Sequence, residues 1–509
     1  MEVTTNQQKF IRASRFLTAA YLYAVCCALP LVFWRKFFDI TEAKLSFFLG
    51  ASGLYLLLLL LARLYYPRDF GSRPPRLRPH PAALALAAFV VCFCIGSALG
   101  NHPEDVFWGQ NNRYHGLLTV FVYAATVYTL SRQTIDPALV DRALALGAIP
   151  VALLGTLNHF GVDPLGFYAN LRDFDRGRFL STLGNADFYG SYVCIAFAAV
   201  LGWFVRAEQK WERALSAFAL VAVSFGALVA GSDSTALGLL VLALLFPTLL
   251  FQNKRALLRF WFAGGVFSLC ALVFGLLSYV LPSATYLSNF AQHLCSPAFS
   301  AALFALSLLL WAVSRPVHAE RLARWKKPYL LVLGISALLF AAALLLLNTL
   351  LKNVPLGGAE RYLRFSESWG TDRGKIWMFA VRLYGSYTPP QMLFGAGPGA
   401  LYYADAANRV FTDAALDTAH NEYLQYLLVC GATGLLCYLC TLVLAIRGGV
   451  AKSTAVPAYR GLSLAVLAYA AQAAVNIAQP ASTPLLFVLL GILIATAPVP
   501  VGQDSPRTV

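Results

Sequence analysis

Apolar residues in this chain run in long blocks separated by short polar segments. Fourteen blocks approach or exceed the roughly 20 residues a helix needs to cross a hydrocarbon layer. They run Phe16–Trp34, Leu45–Ala62, Ala82–Leu99, Leu117–Ser131, Ala143–Phe160, Phe188–Val205 and Ala214–Gly231 in the first half. The second half continues with Ala236–Gln252, Phe260–Leu281, Pro297–Ser314, Tyr329–Leu351, Tyr423–Ile446, Leu462–Ala478 and Pro484–Pro500. In lipid every backbone amide must be paired within its own segment or a closed barrel, and blocks of this length pair theirs as helices. The pattern predicts an all-α polytopic integral membrane protein with about 12–14 transmembrane helices.

Two polar stretches interrupt the alternation, an outer loop over 162–187 and a longer segment over 352–422. Long loops in compact proteins are commonly functional. The predicted division is 1–351, with about 11 helices, then a large extracytoplasmic loop over 352–422, about three helices over 423–500, and a cytoplasmic tail over 501–509. Nothing between these leaves room for a separate soluble domain.

Composition agrees with the pattern. The 509 residues are 59% hydrophobic and only 12% charged, with a mean hydropathy of +0.64, whereas a soluble domain carries roughly a quarter charged residues. The net charge of +15 looks like a nucleic-acid signal until it is placed along the chain. With the N-terminus inside, the inner segments hold 25 Lys and Arg against 8 acids, and the outer segments hold 14 against 16. Basic residues concentrate on the cytoplasmic side of membrane proteins, so the charge sets orientation and no nucleic-acid partner is expected. The inner loops with Arg63, Arg68, Arg73, Arg76 and Arg78, and with Arg315, Arg321, Arg324, Lys326 and Lys327, are suited to anionic lipid heads. Lys9, Arg12 and Arg15 precede a first span without a small-residue cleavage site, which reads as an uncleaved anchor in a chain beginning at Met1. Nine of ten Cys fall in spans, leaving only Cys295 in an outer loop, so no disulfide between outer loops is available. Cys437 and Cys440 form a CxxC, but inside an apolar helix without partners, which points to packing rather than zinc.

Candidate chemistry gathers on the outer segments. In the large loop, TDRGKIWMFAVRLY reads as a helix lying along the membrane surface. Thr371 or Asp372 would cap it, with Ile376, Phe379, Ala380 and Leu383 on one face. Arg373 then sits at a helix N-terminus, where a guanidinium and free N–H groups both favour phosphate oxygens. The bland alternative is an interfacial arginine bonded to a loop carboxylate such as Glu367. GAGPGA, Gly395 to Ala400, lacks dinucleotide-binding spacing and reads as a chain reversal. In DTAHNEYLQYLLVCGATG, Asp417 or Thr418 can cap a helix holding His420 and Glu422 in its first turn. His420 and Gly431 lie 11 residues apart, on one helical face with Leu424 and Leu427 between them. Gly431 and Gly434 would let another helix approach below. An imidazole at that depth can take a proton from an acceptor hydroxyl; a structural His420, bonded to Glu422 or a carbonyl, stands equally open. In the shorter loop, Arg172, Arg176 and Arg178 alternate with Asp173 and Asp175, either as a solvated face or as a phosphate clamp, with Arg178 best placed for the latter. Arg113 precedes His115 at the outer start of the fourth span. No HExxH, Walker loop or metal-binding acid pair occurs, so neither metal nor nucleotide cofactor is expected.

At these residues the chain resembles the O-antigen ligase and O-antigen polymerase superfamily of membrane glycosyltransferases. GQNNRYHG, RFLSTLGNADF, DRGKIW with its downstream GAGPG, and HNEYLQYLLVCGATG carry the resemblance, spanning Gly109 to Gly434. It implies a GT-C-like architecture in the cytoplasmic membrane of a bacterium, with both termini cytoplasmic and the active site outside. It implies an undecaprenyl-pyrophosphate-linked glycan donor, a glycan, lipid or protein acceptor, inversion at the transferred sugar carbon, and possible contact with other polysaccharide assembly proteins. Carried over residue by residue, the pyrophosphate-holding arginines fall on Arg178 and Arg373 and the acceptor-activating histidine on His420. Arg113, Arg176 and Glu422 are secondary substrate-binding candidates. The family's common Asn-Pro-Asn is here Asn185-Ala186-Asp187, which weakens a specific role for Asp187. The alternative from another class, a lipid-linked glycan flippase, would place ionisable residues within spans along a path; here nearly all lie in loops.

Overall fold

A computed structural model describes residues 5–36, 39–67, 79–110, 113–408, 410–411 and 416–495. Arg68, Arg73, Arg76 and Arg78 of the first inner loop, and the tail over 501–509, lie outside the described residues. All fourteen apolar blocks form helices. They are α1 (Asn6–Tyr23), α2 (Ile40–Tyr65), α3 (Pro81–Leu99), α4 (Leu117–Ser131), α5 (Pro137–His159), α6 (Ala186–Arg206) and α7 (Lys210–Leu228). Next come α8 (Asp233–Leu245), α9 (Lys254–Val280), α10 (Pro297–Ser314) and α11 (Ala319–Asn348). The large loop contributes α12 (Trp369–Gly385), α13 (Pro389–Phe394) and α14 (Ala400–Asn408), and the chain continues in α15 (Glu422–Lys452), α16 (Ala458–Ala473) and α17 (Thr483–Ile494). Ten described helices are long and apolar enough to cross a membrane, while α4, α8 and α17 are shorter apolar helices. At 16 residues, α16 is also short of a full span. The count of long helices is thus lower than fourteen because four of the blocks fold as short, packed helices. The only strands among the described residues are β1 (Phe179–Leu180) and β2 (Gly184–Asn185), an antiparallel hairpin.

Helix α6 lies at the centre. Of its apolar stretch 94% is buried, against 0% for that of α11, whose Leu331, Leu338, Leu339 and Leu345 are exposed. The buried Tyr189, Tyr192 and Trp203 of α6 pack it among α5, α7, α8 and α16. Where α6 meets α16, Gly202 and Gly461 abut, so that an added methyl on Gly202 would lie 2.6 Å from the Gly461 Cα. Such contact lets two backbones approach where side chains would hold them apart.

The pairing of α3 with α15 is the other organising contact. α15 is broken at Gly431, whose φ of 67° and ψ of −176° interrupt the helix. A break inside an apolar bundle frees carbonyls that have no water to turn to, at several kcal/mol each. The glycine-rich loop fills the gap: Ala396 N donates to the Leu428 carbonyl at 2.9 Å, and Gly397 N to that of Val429 at 3.1 Å. Tyr387 Oη also donates to the Leu428 carbonyl at 3.4 Å. Gly395, Gly397 and Gly399 all have positive φ, and a methyl on Gly431 would strike the Leu393 and Phe394 backbone. GAGPGA therefore does more than reverse the chain. The approach expected at Gly431 comes from the end of α13, and at Gly434 from Cys92 of α3, whose Cβ lies 3.2 Å from where a methyl would stand.

Two helix starts differ from expectation. α15 begins at Glu422, capped by Asn421, whose side chain accepts from Tyr423 N at 3.0 Å and Leu424 N at 3.1 Å. Asp417, Thr418 and Asn421 all compete as caps, and the last wins because one amide oxygen serves two N–H groups. His420 therefore precedes the helix, in a left-handed conformation (φ 46°), and does not share a helical face with Gly431. In α12, Gly370, Thr371 and Asp372 are left-handed, so regular helix starts at Arg373 itself. The apolar face is as expected: Ile376 and Ala380 are buried with Leu401, Leu416, Ala419 and Leu428, and Phe379 and Leu383 pack beside them. This small core fastens the large loop onto α15.

Gly431→Ala should destabilise the protein by about 3 kcal/mol, the upper range of ordinary single substitutions. Gly53→Ala, where a methyl meets open space on α2, should be neutral or stabilising by about 0.5–1 kcal/mol. Thermal unfolding of both variants in one detergent checks this contrast, and equal midpoints would contradict the role assigned to the break.

Candidate functional site

The shorter loop descends to α6 through the β1–β2 hairpin, in which Phe179 pairs with Asn185 and Leu180 with Gly184. Asn185 caps α6, its Oδ1 accepting from Asp187 N at 2.8 Å. Asp187 thereby opens the most enclosed of the ten long helices. Its Oδ1 accepts from Ser232 Oγ at 2.5 Å, and its carbonyl from Asn476 Nδ2 at 3.0 Å. Asn476 Nδ2 also lies 3.2 Å from Ser234 Oγ, which is 2.9 Å from Ser232 Oγ. Three separate parts of the chain thus fix this residue, Ser232 through its carboxylate and Asn185 and Asn476 through its backbone.

Arg373, at the first regular turn of α12, points its Nη2 at Asp187 Oδ2 and Oδ1, 3.4 and 3.5 Å away. The partner is Asp187 and not Glu367, whose carbonyl instead accepts from Lys375 N at 2.9 Å. These distances exceed the ~2.8 Å of a tight charge-assisted hydrogen bond. Arg113, just before α4, makes the shorter pair, 2.7 Å from Nη2 to Asp417 Oδ2. Its guanidinium also lies 5.8 Å from the ring centroid of Phe188, the residue after Asp187. The two ion pairs therefore meet over the first turn of α6.

His420 shares their field. Burial pulls its pKa below the ordinary histidine value; the Asp187 charge opposes this, Arg373 and Arg113 add to it, and Asp417 opposes it again. A neutral imidazole at pH 7 follows, and its buried Nδ1 has no hydrogen-bond partner among the described residues. The segment carrying it is held from both sides. Trp377 Nε1 donates to the Ala419 carbonyl at 3.0 Å, and Ala419 N donates to Gln425 Oε1 at 3.0 Å. Upstream, the buried Asp405 accepts from Leu416 N at 2.9 Å and from Phe411 N at 3.1 Å. Chemically, the arrangement offers two guanidinium groups, each paired with a carboxylate, around a base that is unprotonated at neutral pH.

No family model matches the chain, and no curated protein matches it in sequence.

The other candidates from the sequence are distributed more widely. Arg178 is exposed, one position beyond the last hairpin pair. Arg176 is held within its own loop, its Nη2 3.3 Å from the Tyr168 carbonyl and its guanidinium 5.7 Å from that residue's ring centroid. Glu422 turns into the bundle, 1% exposed, where it accepts from Tyr438 Oη and, at 2.8 Å, from Tyr469 Oη. Burial also pushes the pKa of His115 down to about 4, and its Nε2 lies 3.0 Å from Tyr426 Oη. Among the described residues no three His, Cys, Asp or Glu converge as metal ligands. Sequence reasoning missed Asp187 and Asp417 as ion-pair partners. The available signal was position, since each acid sits within a few residues of a span's outer start.

The charge balance predicts a pH response. Because its folded pKa is depressed, His420 should gain its proton only below the ordinary histidine value. Asp187→Asn removes a charge that favours the imidazolium and should move this transition further down, while Arg113→Gln should move it up. Histidine-selective NMR titration in nanodiscs reads both shifts; the same direction in the two variants would show that the field is assigned incorrectly.

Proposed function

We propose that this protein transfers a glycan from an undecaprenyl-pyrophosphate donor to an acceptor at the outer face of the cytoplasmic membrane, as the O-antigen ligase and polymerase superfamily does. The observation that carries the reading is the convergence of Arg373 and Arg113 around a neutral His420 over the first turn of α6. On this reading the body is a GT-C-like membrane enzyme, and the segment over 352–421 is its extracytoplasmic loop. The donor's lipid stays among the apolar helices while its pyrophosphate meets the guanidinium groups.

The acceptor oxygen attacks the anomeric carbon and forms the new glycosidic bond. The bond from that carbon to the pyrophosphate oxygen breaks, and its electron pair leaves on the pyrophosphate. The acceptor's proton passes to His420. Negative charge grows on the leaving group, and fixed guanidinium charges in a partly desolvated site stabilise it more than the ground state. Asp187 and Asp417 hold the arginines in place when no donor is bound. The looser pair at Arg373, against 2.7 Å at Arg113, makes Arg373 the more easily redirected of the two. The ionisable groups within the helices support chemistry at the surface rather than passage through the bundle. Asp141 is paired with Arg206 at 3.0 Å, and Lys44 donates to the Pro30 and Val32 carbonyls at 2.8 and 2.7 Å.

Arg373→Ala and His420→Ala should each reduce transfer by on the order of 10²–10⁴-fold without lowering the unfolding temperature, whereas Arg176→Ala should keep most activity. Transfer from a radiolabelled lipid-linked glycan in reconstituted vesicles is the assay. In cells lacking the protein, donor should collect at the outer leaflet; its trapping at the inner leaflet would favour a flippase instead.

A further inference from the structure

The opposite end of the bundle carries a groove between α6, α7, α9 and α10, with a volume of about 360 Å³. Three arginines line it, Arg213, Arg255 and Arg259, together with the rings of Phe204, Phe262 and Trp311. Phe204 stands near the end of α6, about 25 Å along the helix axis from Asp187. None of these residues belongs to the glycan-transfer site. Arg255, Arg259 and Phe262 recur at helical spacing and share one face of α9, while Arg213 stands in the first turn of α7.

Positive charge in the groove is poorly balanced. The nearby acids are already taken, Asp141 by Arg206 at 3.0 Å and Glu212 by Arg142 at 2.7 Å. Glu208 remains, 3.7 Å from Arg255, with a side chain 78% exposed, where water weakens its attraction. Arg259 is fixed against the end of α6, its Nη1 donating to the Val205 carbonyl at 3.4 Å and to that of Ala207. It lies in the field of the like charges of Arg255 and Arg213. The Arg213 side chain forms no hydrogen bond or ion pair among the described residues. A fourth guanidinium, that of Arg315, lies 5.0 Å from the Trp311 ring centroid.

Deeper in the groove the lining is apolar. The rings of Phe204 and Phe262 stack with centroids 6.4 Å apart, and Phe262 is exposed. From Arg255 to Phe262 the α9 face runs about 10 Å along the helix. Leu308, Leu309 and Val313 of α10 are exposed as well, so this flank of the bundle is lined by hydrocarbon in a membrane. A ligand that satisfies the whole groove therefore joins an anionic head to an apolar tail. An inorganic anion would leave the rings bare, and a zwitterionic lipid would bring its ammonium among the arginines. With basic residues inside, this is the cytoplasmic end, where basic pockets between helices bind anionic head groups.

We propose that the groove binds one anionic phospholipid, its phosphate held by Arg213, Arg255 and Arg259 and an acyl chain lying along Phe204 and Phe262. This site differs from the basic loop holding Arg321 and Arg324, whose charges meet a lipid surface without a pocket. A lipid seated here bridges α10, whose apolar stretch is only 11% buried, to the enclosed α6. It should therefore also raise the unfolding temperature, as any ligand of the folded state does.

The test uses the intact chain, stripped of lipid in detergent, with phosphatidylglycerol, phosphatidylcholine and inorganic phosphate as probes. Native mass spectrometry counts bound lipid. A single phosphatidylglycerol should be held on the order of tenfold more tightly than phosphatidylcholine. Arg213→Gln should weaken it about fivefold, and Arg213→Gln combined with Arg255→Gln on the order of twentyfold. Arg321→Gln combined with Arg324→Gln should leave binding unchanged. Lipid-free unfolding temperatures separate lost binding from lost structure, and Arg213→Gln removes no bond within the protein. Equal affinity for the two lipids overturns the site. So does an equal loss in the Arg321 and Arg324 variant, which would mark general surface attraction, or displacement of the lipid by millimolar inorganic phosphate, which would mark an anion site without a lipid.

Discussion

The structure depends on one demand of a low-dielectric interior, that every backbone carbonyl find a donor. α15 breaks that rule at Gly431, and the repair is the loop GAGPGA, whose Ala396 and Gly397 amides take over the carbonyls of Leu428 and Val429. The repair couples distant parts of the chain. α13 and the glycine loop are pinned against α15 and α3, which also anchors the small core of Ile376, Ala380, Leu401 and Leu416. Through Trp377 that core holds the Ala419 carbonyl, and so the residue beside His420. A helical irregularity at depth is what carries the large loop's residues to the bundle's polar end.

From the other side the site is built on α6. A helix enclosed on all sides has little freedom to shift, so Asp187 at its start is a fixed point. Ser232, at the start of α8, and Asn476, beyond the end of α16, both bond to Asp187, making that point the junction of three elements. Arg373, on the first regular turn of α12, reaches it by a long 3.4 Å pair, while Arg113 is held by Asp417. A fixed acid with a loosely held base is the arrangement a site needs if that cation is to be transferred to an incoming anion without moving the scaffold.

The helices were legible in the sequence because hydropathy over 20 residues is a strong local signal, and each of the fourteen blocks became a helix. Their ends were less legible. Asp417, Thr418 and Asn421 are all good caps, and only the geometry of the descending loop decides among them; the same is true of Thr371 and Asp372, which adopt left-handed backbone instead of capping α12. Of the site, the types His420, Arg373 and Arg113 could be picked out, but their partners could not. Arg373 and Asp187 are 186 residues apart, and no periodicity records such a contact. Asp187 was discounted because Asn185-Ala186-Asp187 departs from a family pattern, yet the departure supplies the carboxylate on which Arg373 rests. GAGPGA misled differently: its glycines look like a turn, and the role they serve belongs to a helix 30 residues downstream.

The inventory of charges at the polar end bears on how a donor would be held. Two arginines, two aspartates and a neutral histidine sum to zero, so these groups leave no large uncompensated field in a medium where such a field is expensive. A pyrophosphate adds negative charge and must compete with Asp187 and Asp417 for the same guanidinium groups. The competition is uneven, because Arg113 is bonded at 2.7 Å and braced by Phe188, whereas Arg373 stands 3.4 Å from its nearest oxygen. On the proposed reading Arg373 turns to the anion and Arg113 stays as a fixed charge behind it. Transfer of Arg373 away from Asp187 also leaves the aspartate's charge less compensated near His420, which favours the imidazolium. Anion binding would then raise the basicity of His420 when an acceptor proton has to be taken up, so that the same displacement that seats the donor also readies the base.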